Sequence, residues 1–280
     1  MLSAALLLCA GVGAFGPFQP MTHRRAPLAT VQMQRQDSTP QVGRRAALGL
    51  LSLLPFAATN PAPAAAAEEV QVYFGVGCFW HVQHEFVEAE RNILGRSDEA
   101  LTSLAGYAGG MQTGLNSNYP GRRVVCYHNF QQVADYGKLG HGEVVGMKLP
   151  PSAMPAFADE YFKLFKGFDR PDLGDRGPEY RSLIGIPGGM NSPLAEPIKA
   201  VADAKGFTLA SGKGNDGDTL GKRLIWVYDT ASFPFYQAEV YHQYHDGFFP
   251  GEDYPAIYNK LKGKFVRDGS LDSTGCPDEI

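Results

Sequence analysis

Three short segments carry side chains suited to chemistry: Gly77-Cys78-Phe79-Trp80, Leu139-Gly140-His141-Gly142-Glu143, and Asp175-Arg176-Gly177-Pro178-Glu179-Tyr180-Arg181-Ser182. A cysteine attacks as thiolate, and a thiol of pKa near 8.5 is only about 3% ionised at pH 7. A place at a helix N-terminus raises that share, because unpaired amides and the positive end of the macrodipole favour the anion. Glu143 enters a hydrophobic strand, where burial favours the neutral, proton-donating acid. The third segment adds an acid, a phenol and a base on one loop. Together these segments offer a thiol nucleophile, an acid, a phenol and a base. By its place alone, Cys78 fits a small packed hydrophobe equally well.

The elements that must hold these groups are legible in the periodicity. Gln71–Gly77 is a short β-type run, and Cys78 to about Arg91 follows without Gly or Pro, with Phe79, Val82, Phe86 and Val87 as a helical apolar stripe. Cys78 therefore falls where a strand turns into a helix. Gly75 and Gly77 let the chain turn sharply and a substrate approach, and Phe79 and Trp80 supply an apolar wall. Ser103–Gly110 reads as a strand end and turn, and Glu143–Leu149 alternates as a strand before Pro150-Pro151. Residues 155–166 and 193–205 read as helices, Tyr180–Ile186 and Leu224–Tyr228 as strands. Strands alternating with helices predict a mixed two-layer domain. Residues 211–221 read as a flexible loop and 127–140 as an insertion beside the chemistry. No repeat of 20–50 residues is present.

The 280 residues, 44% hydrophobic and 19% charged, suit one full-sized domain plus an extra segment. The net charge of −4 is unevenly spread. Residues 1–67 hold five arginines and one acid, leaving 20 basic against 28 acidic residues in the remainder, a net charge of −8. That balance argues against nucleic acid or an anionic membrane as the main partner. Arg122-Arg123 and Lys260, Lys262 and Lys264 are too short for a nucleic-acid footprint. No apolar run reaches the roughly 18 residues of a membrane span, and four cysteines are too few for a disulfide-built scaffold. Residues 1–67 read as a targeting presequence: a signal-type core over 2–15, an Arg-rich stretch almost without acid, then Arg44-Arg45 before a second apolar run and an Ala-rich cleavage site. Ala14-Phe15-Gly16-Pro17 resembles the cleavage motif of plastid precursors in algae with complex plastids, and the twin arginine resembles thylakoid-lumen signals. The expectation is a plastid protein, in the lumen by its second signal. An ordinary secretory leader is the alternative.

Gly77-Cys-Phe-Trp80, Gly106-Tyr-Ala-Gly-Gly110, Asn118-Tyr119, Gly140-His-Gly-Glu143, Asp175–Ser182 and Phe235-Tyr-Gln-Ala-Glu-Val-Tyr-His-Gln243 occur in the order seen in peptide methionine sulfoxide reductases of type A, which this chain resembles over residues 71–250. The resemblance implies an α+β fold, a two-layer mixed sheet with packed helices and a ferredoxin-like core. It implies a catalytic domain over 68–262 and a tail over 263–280. Cys78 is then the nucleophile on methionine-S-sulfoxide, free or in proteins, and Glu143 the general acid. Tyr119 and Tyr180 are the phenolic donors to the sulfoxide oxygen, Asp175 holds the network, and Phe79 and Trp80 receive the substrate methyl. Attack leaves a sulfenic acid on Cys78. A second cysteine resolves it and a thioredoxin-type dithiol completes the cycle, with no cofactor or metal, in a monomer. Cys276, on a Gly/Ser-containing tail, is the resolving candidate. Cys126 reads as a packed thiol, with a resolving role left open.

Three features depart from the family pattern. His81 stands where the family has Gly, able to stabilise thiolate or to face solvent. Tyr127–Leu139 lengthens the spacer after Cys126, which puts Tyr119 in doubt. The tail has one cysteine where relatives have two. Glu239, His242 and His245 would align on one helix face, a spacing open to metal, although packing is the commoner fate. Two other classes compete: a cysteine hydrolase using Cys78 with His141 or His242, and a binding protein for methionine sulfoxide without catalysis.

Overall fold

A computed structural model of the chain describes residues 68–115, 120–247, 250, 254 and 257–277. The presequence expected over 1–67 and the candidate Tyr119 lie outside them. The elements are β1 (Val70–Gly75), α1 (Phe79–Leu94), β2 (Leu104–Ala108), β3 (Gly114–Leu115), β4 (Arg123–Val124), β5 (Gly142–Leu149), α2 (Met154–Lys163), β6 (Leu183–Ile186), α3 (Ala195–Ala204), β7 (Thr208–Ser211), β8 (Leu224–Asp229), β9 (Tyr236–Gln237) and α4 (Ile257–Asp268).

The main sheet runs β7-β8-β6-β1-β5-β2-β9. Its centre is antiparallel throughout, with Phe74 opposite both Val145 of β5 and Ile184 of β6, and Tyr107 of β2 opposite Glu143 of β5. Chain order β1-α1-β2-β5-α2-β6 with spatial order β6-β1-β5-β2 is the ferredoxin-like core expected. β8 and β7 extend it in parallel beyond β6, and β9 pairs antiparallel with β2.

Alternation along β1 divides the core. Val72 and Phe74 pack with Phe86 of α1 and with Phe157 and Tyr161 of α2. Tyr73 points to the other face, among Ala108, Val144, Leu183 and Tyr228, beside Phe233 and Phe235. Each of these large side chains, fully buried, is worth roughly 1.5–3 kcal/mol. α1 forms because its apolar residues recur at helical spacing, and it stops at Gly95, whose left-handed backbone (φ 65°) bonds its amide to the Arg91 carbonyl.

The structure corrects four expectations. Residues 211–221 are fastened rather than loose: Asp216 accepts from Tyr228 and from the Lys213 and Gly214 amides, and Asn215 bonds the Gly109 carbonyl. Residues 239–245 are no helix; a 3-10 turn over Val240–His242 ends there, so the presumed ligand face does not exist. α4 continues to Asp268, past the expected tail boundary at 263, and Leu271 is buried beside Phe265. β7 had not been expected. Among the described residues no helix is long and apolar enough to cross a membrane.

Candidate active site

β1 ends in Gly75-Val76-Gly77 and α1 opens at Phe79, so Cys78 is the N-cap, in extended conformation (φ −64°, ψ 128°). Gly77 has φ 74°, and a β-carbon there would stand 2.8 Å from Asp175 Oδ2; at Gly75 it would stand 2.3 Å from the Glu143 carbonyl oxygen. The glycines thus admit the two acid-bearing segments of the protein itself, not a substrate as the sequence suggested. The Cys78 amide donates to Asp175 Oδ2 at 3.0 Å and the Phe79 amide to Glu143 Oε2 at 2.9 Å. Two carboxylates therefore share the electropositive helix start with the thiol. Cys78 is 2% exposed and is not disulfide-bonded.

Glu143 is 1% exposed, held by the β2–β5 ladder. Its other oxygen, Oε1, accepts from the Tyr136 hydroxyl at 3.0 Å. Tyr136 went unnoticed in the sequence because it lies within the stretch read as an insertion. That stretch is a closed loop: the Cys126 amide bonds the Ala134 carbonyl and the Tyr136 amide the Cys126 carbonyl, bringing the phenol back toward β5. Burial, and next the Glu143 carboxylate, hold the Tyr136 phenol well above its ordinary value. It stays a proton donor across the working pH range.

Asp175 is buried, and burial pushes its carboxyl up to about 6, although the Cys78 amide and the nearby His81 and Arg170 pull the other way. His81 thus makes itself felt at Asp175. The 175–182 loop is fastened by Arg170, which donates to the Asp175 carbonyl at 2.7 Å and pairs with Asp218, itself accepting from the Gly177 amide at 2.9 Å. Arg181, wholly buried, donates to the carbonyls of Gly109, Gly140 and Pro178 and to the Tyr228 hydroxyl, tying three loops together. Tyr180 takes part through its carbonyl, which accepts from the Gly77 amide at 3.1 Å; its phenol lies near enough to act electrostatically on Tyr136.

Phe79 is buried against Tyr107, Tyr127 and His242, with centroids 5.9, 6.4 and 5.1 Å away. Trp80 is partly exposed, but the His245 ring stacks on it at 3.7 Å, nearly parallel, so the face expected to meet a substrate is covered. His141 is committed to structure. One ring nitrogen bonds the Gly110 amide and the other the Gln112 carbonyl, and burial holds it down at about 4.

Cys126 is not the packed thiol expected: it is disulfide-bonded to Cys276, 150 residues away, with Cα atoms 5.7 Å apart. Cys276 has reached the site's neighbourhood, but its partner here is Cys126 rather than Cys78. Glu239 lies beside the pair. Its oxygens accept from the Tyr107 hydroxyl and the Tyr127 amide, both at 2.8 Å.

A ferredoxin-like sheet with a cysteine at its first strand-to-helix corner, two carboxylates on the adjoining amides and a phenol on one of them defines an acid-assisted thiol enzyme. No family model matches the chain. It is 32% identical over 175 residues to the peptide methionine sulfoxide reductase MsrA of Geobacter metallireducens, covering 61% of this chain and 85% of that protein. To peptide methionine sulfoxide reductase MsrA 2 of Rhizobium meliloti it is 29% identical over 185 residues, 65% of this chain and 73% of that one. The chain belongs to the peptide methionine sulfoxide reductase MsrA family. Reduced Mxr1 from Saccharomyces cerevisiae aligns over 67% of this chain and 92% of its own at 18% identity, with a TM-score of 0.41, a likeness too slight to bear on the site.

Proposed function

We propose that this chain reduces methionine-S-sulfoxide, free or in proteins, with Cys78 as nucleophile and Glu143 as general acid. The observation that carries the reading is the pair of bonds from the Cys78 and Phe79 amides to Asp175 and Glu143, which sets an acid beside the sulfur. The Cys78 thiolate attacks the sulfoxide sulfur while Glu143 protonates its oxygen. The oxygen passes to Cys78 as a sulfenic acid. Methionine leaves reduced by two electrons, and Cys78 is oxidised by two. Tyr136 holds Glu143, and Tyr180 and Asp175 complete the polar wall. Tyr119 keeps its expected part as a proposal, while Tyr136 supports the phenolic role from the geometry. Phe79 and Trp80 receive the methyl group once His245 moves aside.

Cys276 then attacks the sulfenic sulfur, releasing water, and Cys126 displaces Cys78 to leave the Cys126–Cys276 disulfide. A thioredoxin-type dithiol reopens it, with no other cofactor, in a monomer. The presequence delivers the protein to a plastid, by its second signal to the thylakoid lumen. Fluorophore fused behind residues 1–67 should light the plastid; signal only in the medium would sink this. A hydrolase is disfavoured because burial holds His141 at about 4 and His242 at about 3, too weakly basic to take a thiol proton at neutral pH. The deciding experiment is single-turnover methionine formation from each purified epimer by the parent, Cys78→Ser and Glu143→Gln chains. Activity surviving Cys78→Ser ends the mechanism, and an absence of product from the parent leaves only binding.

A further inference from the structure

Glu239, which its spacing groups with His242 and His245, has its carboxylate beside the Cys126–Cys276 pair. One of its oxygens and the sulfurs of Cys126 and Cys276 all lie within 4.8 Å of one another. Cys126 is buried and the other two are half-buried. Two donors, the Tyr107 hydroxyl and the Tyr127 amide, orient the carboxylate, one on each oxygen. A carboxylate fixed by outer hydrogen bonds and facing two sulfurs is how proteins build a site for a thiophilic cation.

We propose that, once the Cys126–Cys276 disulfide is opened, these three residues bind a zinc-class divalent ion. Tetrahedral zinc with sulfur at about 2.3 Å and oxygen at about 2.0 Å needs sulfurs about 3.8 Å apart and each about 3.5 Å from the oxygen. Cα atoms 5.7 Å apart allow the sulfurs to separate that far by side-chain rotation, and a carboxylate oxygen already lies within 4.8 Å of both sulfurs. Two thiols and the ion give a dithiolate complex and two protons released to solvent; no electron moves. The fourth place goes to water. Two sulfurs and one oxygen discriminate against magnesium and calcium, which demand oxygen alone. The closed disulfide cannot bind, because its sulfurs carry no negative charge. Metal and disulfide are therefore alternative states of one sulfur pair, and the ion holds back the thiols that would clear Cys78. That last consequence rests on the reductase reading; the site itself does not.

The test uses the full chain without substrate, reduced with a phosphine that is then removed, and titrated with cobalt(II) and zinc(II). The expected result is one ion per chain, a near-ultraviolet thiolate-to-cobalt band that zinc abolishes, and binding at least about a hundredfold weaker when the same chain has its disulfide closed. Cys126→Ser should lose the band, and Glu239→Gln should keep it with affinity lowered at least about tenfold. Equal binding by the closed form, undiminished binding by Cys126→Ser, or no band in the reduced parent overturns the proposal. Comparing two redox states of one unmutated chain removes dependence on how a variant folds. The outcome is separable from the reductase reading, because methionine formation is measured metal-free and metal binding without sulfoxide.

Discussion

At the scale of single residues, Glu143 is held between the Phe79 amide and the Tyr136 hydroxyl, one on each oxygen. Cys78 and Glu143 stood out by local context. Tyr136 did not, because a phenol's partner seven residues on is set by how the 127–140 loop closes, and no periodicity encodes that. Tyr136→Phe keeps the ring that stacks on Tyr107 with centroids 4.7 Å apart and removes the donor on Glu143. Single-turnover methionine formation should fall about ten- to hundredfold; an unchanged rate would remove Tyr136 from the site. Asp175 supplies a pH signature. Its folded value of about 6 lies above the ordinary 3.8, so its contribution to stability is present in full below about 4 and is lost as pH rises through about 6. Asp175→Asn keeps an acceptor for the Cys78 amide without that loss. Urea midpoints should show it more stable than the parent at pH 8, by on the order of 2 kcal/mol, and no more stable at pH 4. Equal differences at both pH values would contradict the assignment.

At the scale of elements, what the sequence showed was what repeats. The stripe of α1 and the alternation of β5 came from periods of 3.6 and 2, and both are where they were expected. The 211–221 loop looked loose because two of its anchors, Gly109 and Arg170, are far away in sequence, and the 239–245 run looked helical because three spaced polar residues mimic a face. Arg181 is another such long-range tie. Arg181→Met takes the guanidinium donor from the Gly140 carbonyl and the Tyr228 hydroxyl and leaves the Gly109 carbonyl with the Asn215 amide alone, and should lower unfolding free energy by about 2–4 kcal/mol in chemical denaturation. His245 stands over Trp80, and under the proposed role of Trp80 its stacking is given up when substrate arrives. His245→Ala should lower KM by about three- to tenfold with little change in kcat; a raised KM would mean that His245 helps to bind substrate instead.

At the scale of the whole molecule, the described tail is packed and tethered. Helix α4 runs past the expected boundary, Leu271 packs beside Phe265, and the disulfide ties Cys276 to Cys126 across 150 residues. The pairing was not legible, because connectivity among cysteines depends on where the chain ends meet in space. Cys276→Ser should cost about 2–4 kcal/mol of stability under non-reducing conditions, read from urea melts. No loss would mean that the tail is held by packing alone.

The separation of Cys78 from the bridged pair sets a stoichiometry. Under the proposed cycle, a chain with its disulfide closed still contains one reducing equivalent pair at Cys78, and a fully reduced chain contains two. Deprived of any external dithiol, the first should yield one methionine per chain and the second two, so the protein can repair a further residue after its supply of electrons has stopped.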